Sequence, residues 1–187
     1  MMNAELLNNA QKKDKIAMKQ IFSMYFGRMK NICIRYAKDE NQSVEFINSS
    51  FCKIFSLLNS FILENDFEKW VSHNAIQNCI ALLKKNEKEY YVTTTVKTND
   101  AELEKNENNQ KIDIDNPDLF TDLKILECIQ ELPPSYRVLF NLYVIDGYSM
   151  EEISKLMEIN FETCKRNTER VKTLFEKNIR QKLSNPQ

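Results

Sequence analysis

Two adjacent prolines, a lone glycine and a Ser-x-x-Glu pair fix the layout of the chain's last third. Pro133 and Pro134 bar a helix through themselves but suit the first turn of the next one, because a first-turn residue needs no N–H partner. Tyr136, Leu139, Phe140, Tyr143 and Val144 then recur at helical spacing, which predicts one buried face. Gly147 marks the turn that ends this helix. Ser149 and Glu152 form a capping box, so a new helix begins there and buries Ile153 and Leu156. It stops near Met157-Glu158, Ile159 plugs the turn, and Asn160 caps a long final helix. The pattern is a helix-turn-helix.

In such a unit the second helix normally lies in the major groove of DNA. Here Cys164, Val171, Phe175 and Ile179 fall on its core side. Thr163, Arg166, Asn167 and Arg170 share another side at steps of three and four. From Asn160 to Lys182 there are seven positive and three negative side chains, a net of +4. Arginine reads guanine through two hydrogen bonds, whereas lysine mainly neutralises phosphate. A solvated face of mixed charge has the same composition, but joined to the two-helix unit upstream the face reads as a DNA contact. Its candidate residues are Asn160, Thr163, Lys165, Arg166, Asn167 and Arg170.

The motif Leu132-Pro133-Pro134-Ser135-Tyr136-Arg137, followed by Asp146-Gly147-Tyr148-Ser149-x-Glu151-Glu152-Ile153 and Ile159-x-x-x-Thr163-x-Lys165, resembles the promoter-binding domain of bacterial RNA polymerase sigma factors. The two-domain, extracytoplasmic-function type is the nearest likeness. The resemblance implies recognition of the minus-thirty-five promoter element by the final helix. Two-component response regulators carry a similar helix pair, so the rest of the chain has to separate the two.

Among 187 residues only two glycines and four prolines occur, and β-branched alternation is nearly absent, which predicts an all-α fold. A formal net charge of −1 excludes a uniformly basic nucleic-acid glue; any DNA contact has to come from a local patch. Cys33, Cys52, Cys79, Cys128 and Cys164 lie far apart, and His73 is the only histidine, so no metal site or cofactor is expected. Scattered, unpaired cysteines on apolar faces fit a reducing cytoplasm. With no leader pattern and no membrane-length apolar run, the expected location is cytoplasmic and nucleoid-associated. There is no Gly-rich phosphate loop or nucleophile elbow, so an enzyme is not expected.

Residues 4–12 read as a short helix with Leu6, Leu7 and Ala10 on one side. Asp14 caps a longer helix to about Ala37, with a stripe of Phe22, Tyr25, Phe26, Met29, Ile32, Cys33 and Tyr36. After the polar break at Lys38–Asn41 a third helix carries Val44, Ile47, Phe51, Ile54, Phe55 and Leu58. Asp66 caps a fourth, with Phe67, Trp70, Val71, Ala75, Cys79 and Leu82. Phe51, Phe67 and Trp70 read as core residues before base-stacking ones. Tyr90–Val96 could be extended. Between Asn99 and Asp118, seven negative residues face two positive ones, a net of −5, which reads as a flexible acidic linker. The expected domains are 1–92, a linker at 93–118, and 119–187, two helical domains on a tether.

The first domain extends the resemblance. Arg35-Tyr36, Phe51-x-x-Ile54-Phe55, Phe67-x-x-Trp70-Val71 and Ile80-x-x-Leu83-Lys84-Lys85 are similar, in order and spacing, to the sigma-factor domain that grips polymerase and opens the minus-ten element. A response regulator is disfavoured, since its receiver needs alternating strands and helices. By resemblance, Glu45, Asn48, Ser49 and Lys53 would face polymerase core, and Trp70, His73, Gln77, Lys84 and Lys85 would meet minus-ten DNA. The chain departs from the family where Ser49 lacks a carboxylate, where His73, Asn74, Gln77 and Ala81 replace commoner residues, and where Asn167 stands in place of a frequent arginine. These implications give a sigma factor directing core polymerase to promoters, with an anti-sigma factor as a possible partner. The alternative is a sigma-like DNA-binding regulator or decoy that no longer opens promoters.

Overall fold

The computed structural model describes residues 3–62, 66–86 and 123–184, and the chain divides into two compact units, Met1–Leu82 and Leu83–Gln187. Among the described residues every regular element is helical, as the punctuation predicts. The linker at 93–118 and the Tyr90–Val96 segment lie outside the described residues.

The first unit holds α1 at Ala4–Gln11, α2 at Lys15–Tyr36, α3 at Glu40–Leu57 and most of α4, which spans Phe67–Asn86, with a 3-10 turn at Leu58–Ser60. Each start is set by a short polar side chain that satisfies an orphan amide. Asn3 Oδ1 accepts from Leu6 N at 2.8 Å, Asp14 Oδ1 from Ala17 N at 2.8 Å, and Asp39 Oδ1 from Gln42 N at 2.8 Å. Asp66 Oδ1 accepts from Glu68 N and Lys69 N at the head of α4, as the sequence predicts.

α1 and α3 both pack on α2. Ile21, Tyr25, Met29, Ile32, Cys33 and Tyr36 form the buried stripe of α2, in one core with Phe46, Ile47, Phe51 and Ile54 of α3 and Phe67, Val71, Ala75, Ile76, Cys79 and Ile80 of α4. This differs from the predicted stripes by a partial rotation. Phe22 and Phe26 are 36% and 40% exposed and Val44 is 52% exposed, while Ile21 and Phe46, absent from those stripes, are buried. The reason is that α2 and α3 carry apolar residues on more than one side, so periodicity alone leaves the phase of the buried stripe open. The half-exposed rings still find company: Phe22 lies 5.4 Å from Phe26 and 4.4 Å from Phe51 between centroids, and Phe51 stacks on Phe55 at 6.0 Å. Trp70 is half-buried, its ring 5.3 Å from Phe61 and 5.5 Å from Phe67. Polar residues enter this core with partners. Asn78 Nδ2 donates to Ser49 Oγ at 3.0 Å and Ser50 Oγ at 3.1 Å, tying α4 to α3.

In the second unit, α5 spans Leu123–Gln130 and α6 Pro134–Phe140, with Pro134 at the first helical position as expected. α6 continues as a π turn at Asn141–Ile145, where Asp146 N reaches back to Asn141 O at 2.8 Å. Buried Asn141 donates its amide to Arg137 O at 2.8 Å, and a side chain working within the backbone ladder accompanies this local widening. Arg137 is also buried and donates through Nε and Nη2 to Leu132 O, holding the Leu-Pro-Pro corner against the helix that follows it.

α7 spans Met150–Met157 and α8 Phe161–Ser184. α8 packs on α5, α6 and α7, so one helix carries the core of the unit. Cys164, Val171, Phe175 and Ile179 line its buried edge as predicted, and the Phe175 ring meets that of Phe140 at 4.4 Å. Lys182 Nζ bridges Glu127 of α5 and Glu131, just beyond its end, at 2.9 Å each, and those two hydrogen bonds push its pKa upward.

Candidate nucleic-acid interface

The helix-turn-helix is built from α7, the turn and the start of α8. Gly147 has φ +70, a left-handed conformation that an L side chain adopts only with strain, and this explains the glycine ahead of α7. Both arms of the capping box form: Ser149 Oγ accepts from Glu152 N at 3.3 Å, and the Glu152 carboxylate accepts from Ser149 N at 2.8 Å. α7 buries Ile153 and Met157, and Glu158 closes it with φ 60. Ile159 N donates to Ser154 O at 3.0 Å, which satisfies a carbonyl left open at the end of the helix. Asn160 Oδ1 then accepts from Thr163 N at 2.7 Å and starts α8.

Along the outer side of α8, Lys165 and Arg166 are exposed, with Thr163 and Arg170 half-buried and Asn160 exposed at the helix start. Arg166 and Arg170 lie one turn apart and out of the core, so the helix presents two guanidinium groups on one face. Asn167 corrects the reading of that face. It is 3% exposed, and with fully buried Thr168 it belongs to the packed side of α8. Thr168 Oγ1 donates to Cys164 O at 2.9 Å, the local bond by which a hydroxyl is accommodated inside a helix. Sequence spacing groups Asn167 with Arg166, but α8 packs on three helices, and that contact covers a wide arc of its surface near its start. Asn167→Ala is accordingly expected to lower the stability of the second unit by about 1–2 kcal/mol while leaving the salt dependence of DNA binding unchanged. Urea denaturation and a salt titration of DNA affinity on the same sample check this.

Tyr148, in the turn ahead of α7, is half-buried, and that burial, with the Asp146 and Glu152 carboxylates adding to it, pushes its phenol up to about 12. The folded protein therefore keeps a proton that the unfolded chain gives up above about pH 10. The resulting stabilisation is intact below pH 10 and disappears as pH rises through 12. Discounted for half exposure, Tyr148→Phe should remove about 1 kcal/mol of the alkaline fall in stability, seen as a flatter denaturation midpoint between pH 10 and 12.

In the first unit the residues that the family likeness points toward polymerase share α3. Glu45 and Asn48 are exposed, Lys53 is half-buried, and Ser49 is half-buried with its hydroxyl engaged by Asn78. On α4, His73 and Lys85 are exposed, and Gln77, Lys84 and Trp70 are half-buried. Asn74 turns inward instead, 8% exposed, and donates to Trp70 O at 2.8 Å, so the polar group in an aliphatic position is satisfied by its own helix. Sequence reasoning missed the exposed aromatic flank of Phe22 and Phe26, because their apolar character alone assigned them to the core. No group of three or more His, Cys, Asp or Glu side chains that could hold a metal occurs among the described residues.

A capped, two-helix unit presenting arginines on the outer side of its second helix defines a helix-turn-helix DNA-binding protein. Comparison with known proteins refines this. Residues 122–174 match the family model described as Sigma-70, region 4, and residues 4–49 match one described as Helix-turn-helix domain. The chain is 24% identical to the ECF RNA polymerase sigma factor SigW of Bacillus subtilis (strain 168), covering 96% of this chain and 98% of that one. It is 23% identical to the ECF RNA polymerase sigma-E factor of Haemophilus influenzae (strain ATCC 51907 / DSM 11121 / KW20 / Rd), covering 93% of each. Its fold is similar to that of the sigma factor RpoE from Bartonella quintana, solved in complex with the anti-sigma factor NepR, at a TM-score of 0.53 and 13% identity over 87% of this chain and 96% of that one. Over nearly its whole length the chain is thus similar to extracytoplasmic-function RNA polymerase sigma factors, and its residues 122–174 carry the region 4 match.

Proposed function

We propose that this chain directs RNA polymerase core to promoters and initiates transcription through binding alone, with no covalent chemistry of its own. The observation that carries the reading is the outer face of α8, where Arg166 and Arg170 stand clear of the core on a helix whose start is capped and pinned by α7. That face, with Asn160, Thr163 and Lys165, reads the upstream promoter element in the major groove. Asn167, being buried, supports the face from beneath and touches no base.

In this reading residues 1–92 hold polymerase core through Glu45, Asn48, Ser49 and Lys53 on α3. Trp70, His73, Gln77, Lys84 and Lys85 on α4 meet the minus-ten element. Residues 93–118 are an acidic tether to residues 119–187. Strand separation follows from differential affinity: a face that prefers unpaired bases shifts duplex toward the open state. The protein acts in the cytoplasm at the nucleoid, and an anti-sigma factor is an expected partner. Among the described residues no helix is long and apolar enough to cross a membrane.

Transcription in vitro, with purified core enzyme and a library of promoter fragments, tests the reading. Specific initiation dependent on this chain is the expected result. Promoter-duplex binding without initiation would instead establish the regulator or decoy, for which the inward turn of Asn74 and the histidine at position 73 are the structural motive.

A further inference from the structure

Cys33 of α2 and Cys79 of α4 meet in the core of the first unit, both fully buried, with Cys79 Sγ donating to Cys33 Sγ across 3.8 Å. Both thiols are free. The pair is asymmetric. The Cys79 hydrogen bond, helped by Ser50 and by the Arg35 charge, holds the Cys33 thiol below its ordinary value, while that same bond and burial push Cys79 up. One sulfur is thus biased toward the nucleophilic thiolate and the other toward the thiol that resolves it.

We propose that Cys33 and Cys79 are a reversible dithiol–disulfide pair that responds to hydrogen peroxide and shifts α4 against α2. The Cys33 thiolate attacks one peroxide oxygen. An S–O bond forms, the O–O bond breaks, and the departing hydroxide takes the thiol's proton to leave as water. Cys79 sulfur then attacks the sulfenic sulfur of Cys33. The S–S bond forms, the S–O bond breaks, and hydroxide leaves with the Cys79 proton as a second water. Two thiols lose two electrons and two protons, and one peroxide is reduced to two waters.

Closing the gap from 3.8 Å to a disulfide of about 2.05 Å draws the two helices together, because each sulfur is carried by a different helix of one packed core. α4 carries Trp70, His73 and Gln77, so on the proposed function the oxidation state is felt at the minus-ten face. The bond itself does not depend on that reading. Since the pair is enclosed, peroxide reaches it through local opening, and oxidation there is slower than at exposed Cys52.

The full-length reduced chain is treated with graded hydrogen peroxide, quenched, denatured, alkylated and mapped by mass spectrometry. The expected product is a Cys33–Cys79 linked peptide, reversed by dithiothreitol, absent in Cys33→Ala and in Cys79→Ala, and kept in Cys52→Ser. The emission of Trp70, the single tryptophan, should shift on oxidation and return on reduction, with no shift in Cys33→Ala. Full alkylation of Cys33 and Cys79 even at doses and times well past those that oxidise all of Cys52 overturns the pair. Linkage with unchanged Trp70 emission overturns the movement of α4. Neither readout uses polymerase, so both stay separate from failure of the promoter reading.

Discussion

Replacing Phe175 by alanine is expected to unfold the second unit. Phe175 is fully buried on α8 and meets fully buried Phe140 at 4.4 Å between ring centroids. Because α8 packs on α5, α6 and α7, this ring sits where the whole unit closes. Truncating a core phenylalanine costs about 3–5 kcal/mol through forfeited transfer energy and the cavity left behind. Small domains have about 0.05–0.15 kcal/mol of net stability per residue, so a unit of this size holds only several kcal/mol in reserve. The variant should lose most of the helical signal of the second unit by circular dichroism at 37 °C and should lose DNA binding with it. Phe175→Leu keeps most of the volume and should cost only about 1–1.5 kcal/mol, leaving binding intact. An unchanged urea midpoint in Phe175→Ala would refute the placement of this ring at the centre.

The second large effect concerns binding rather than folding. Arg166 is exposed and Arg170 half-buried, one turn apart on α8 and off the packed edge defined by Cys164, Val171, Phe175 and Ile179. Removing a guanidinium that bonds a base edge or phosphate costs about 1–3 kcal/mol each. Arg166→Ala/Arg170→Ala should therefore weaken promoter binding by about 100-fold or more and reduce the salt slope by about one for each phosphate that is no longer neutralised. Lys165→Ala should lower affinity on all sequences alike, since an ammonium on phosphate carries no base information. The decisive measurement is affinity against salt concentration on promoter and scrambled duplexes. If the double variant binds promoter as tightly as the parent and keeps the same fold, the recognition face lies elsewhere.

The two predictions draw on opposite sides of one helix, and they show where reading the chain succeeds. On α8, four core positions are legible because charge fills many of the other positions of a basic segment, so the apolar edge stands out. On α2 and α3 the same reasoning slips, placing Phe22, Phe26 and Val44 inside and missing Ile21 and Phe46. Those helices are apolar on several sides, and the periodicity signal is then too weak to set a phase. Asn167 fails for a related reason: a polar residue near arginines reads as part of their face until the breadth of packing is known.

By itself the sequence determined what local chemistry controls. Caps at Asp14, Asp39, Asp66, Ser149 and Asn160 each satisfy amides within three residues, and Gly147 supplies the left-handed φ that its turn requires. These interactions close over a few residues, so their pattern is visible in order along the chain. Only tertiary structure decided which way each long helix faces, that Asn74, Asn78, Asn141 and Asn167 go inside, and that Cys33 meets Cys79 across 46 positions of sequence. Such outcomes depend on which surfaces remain to be covered once several helices have packed, a competition that no single helix encodes.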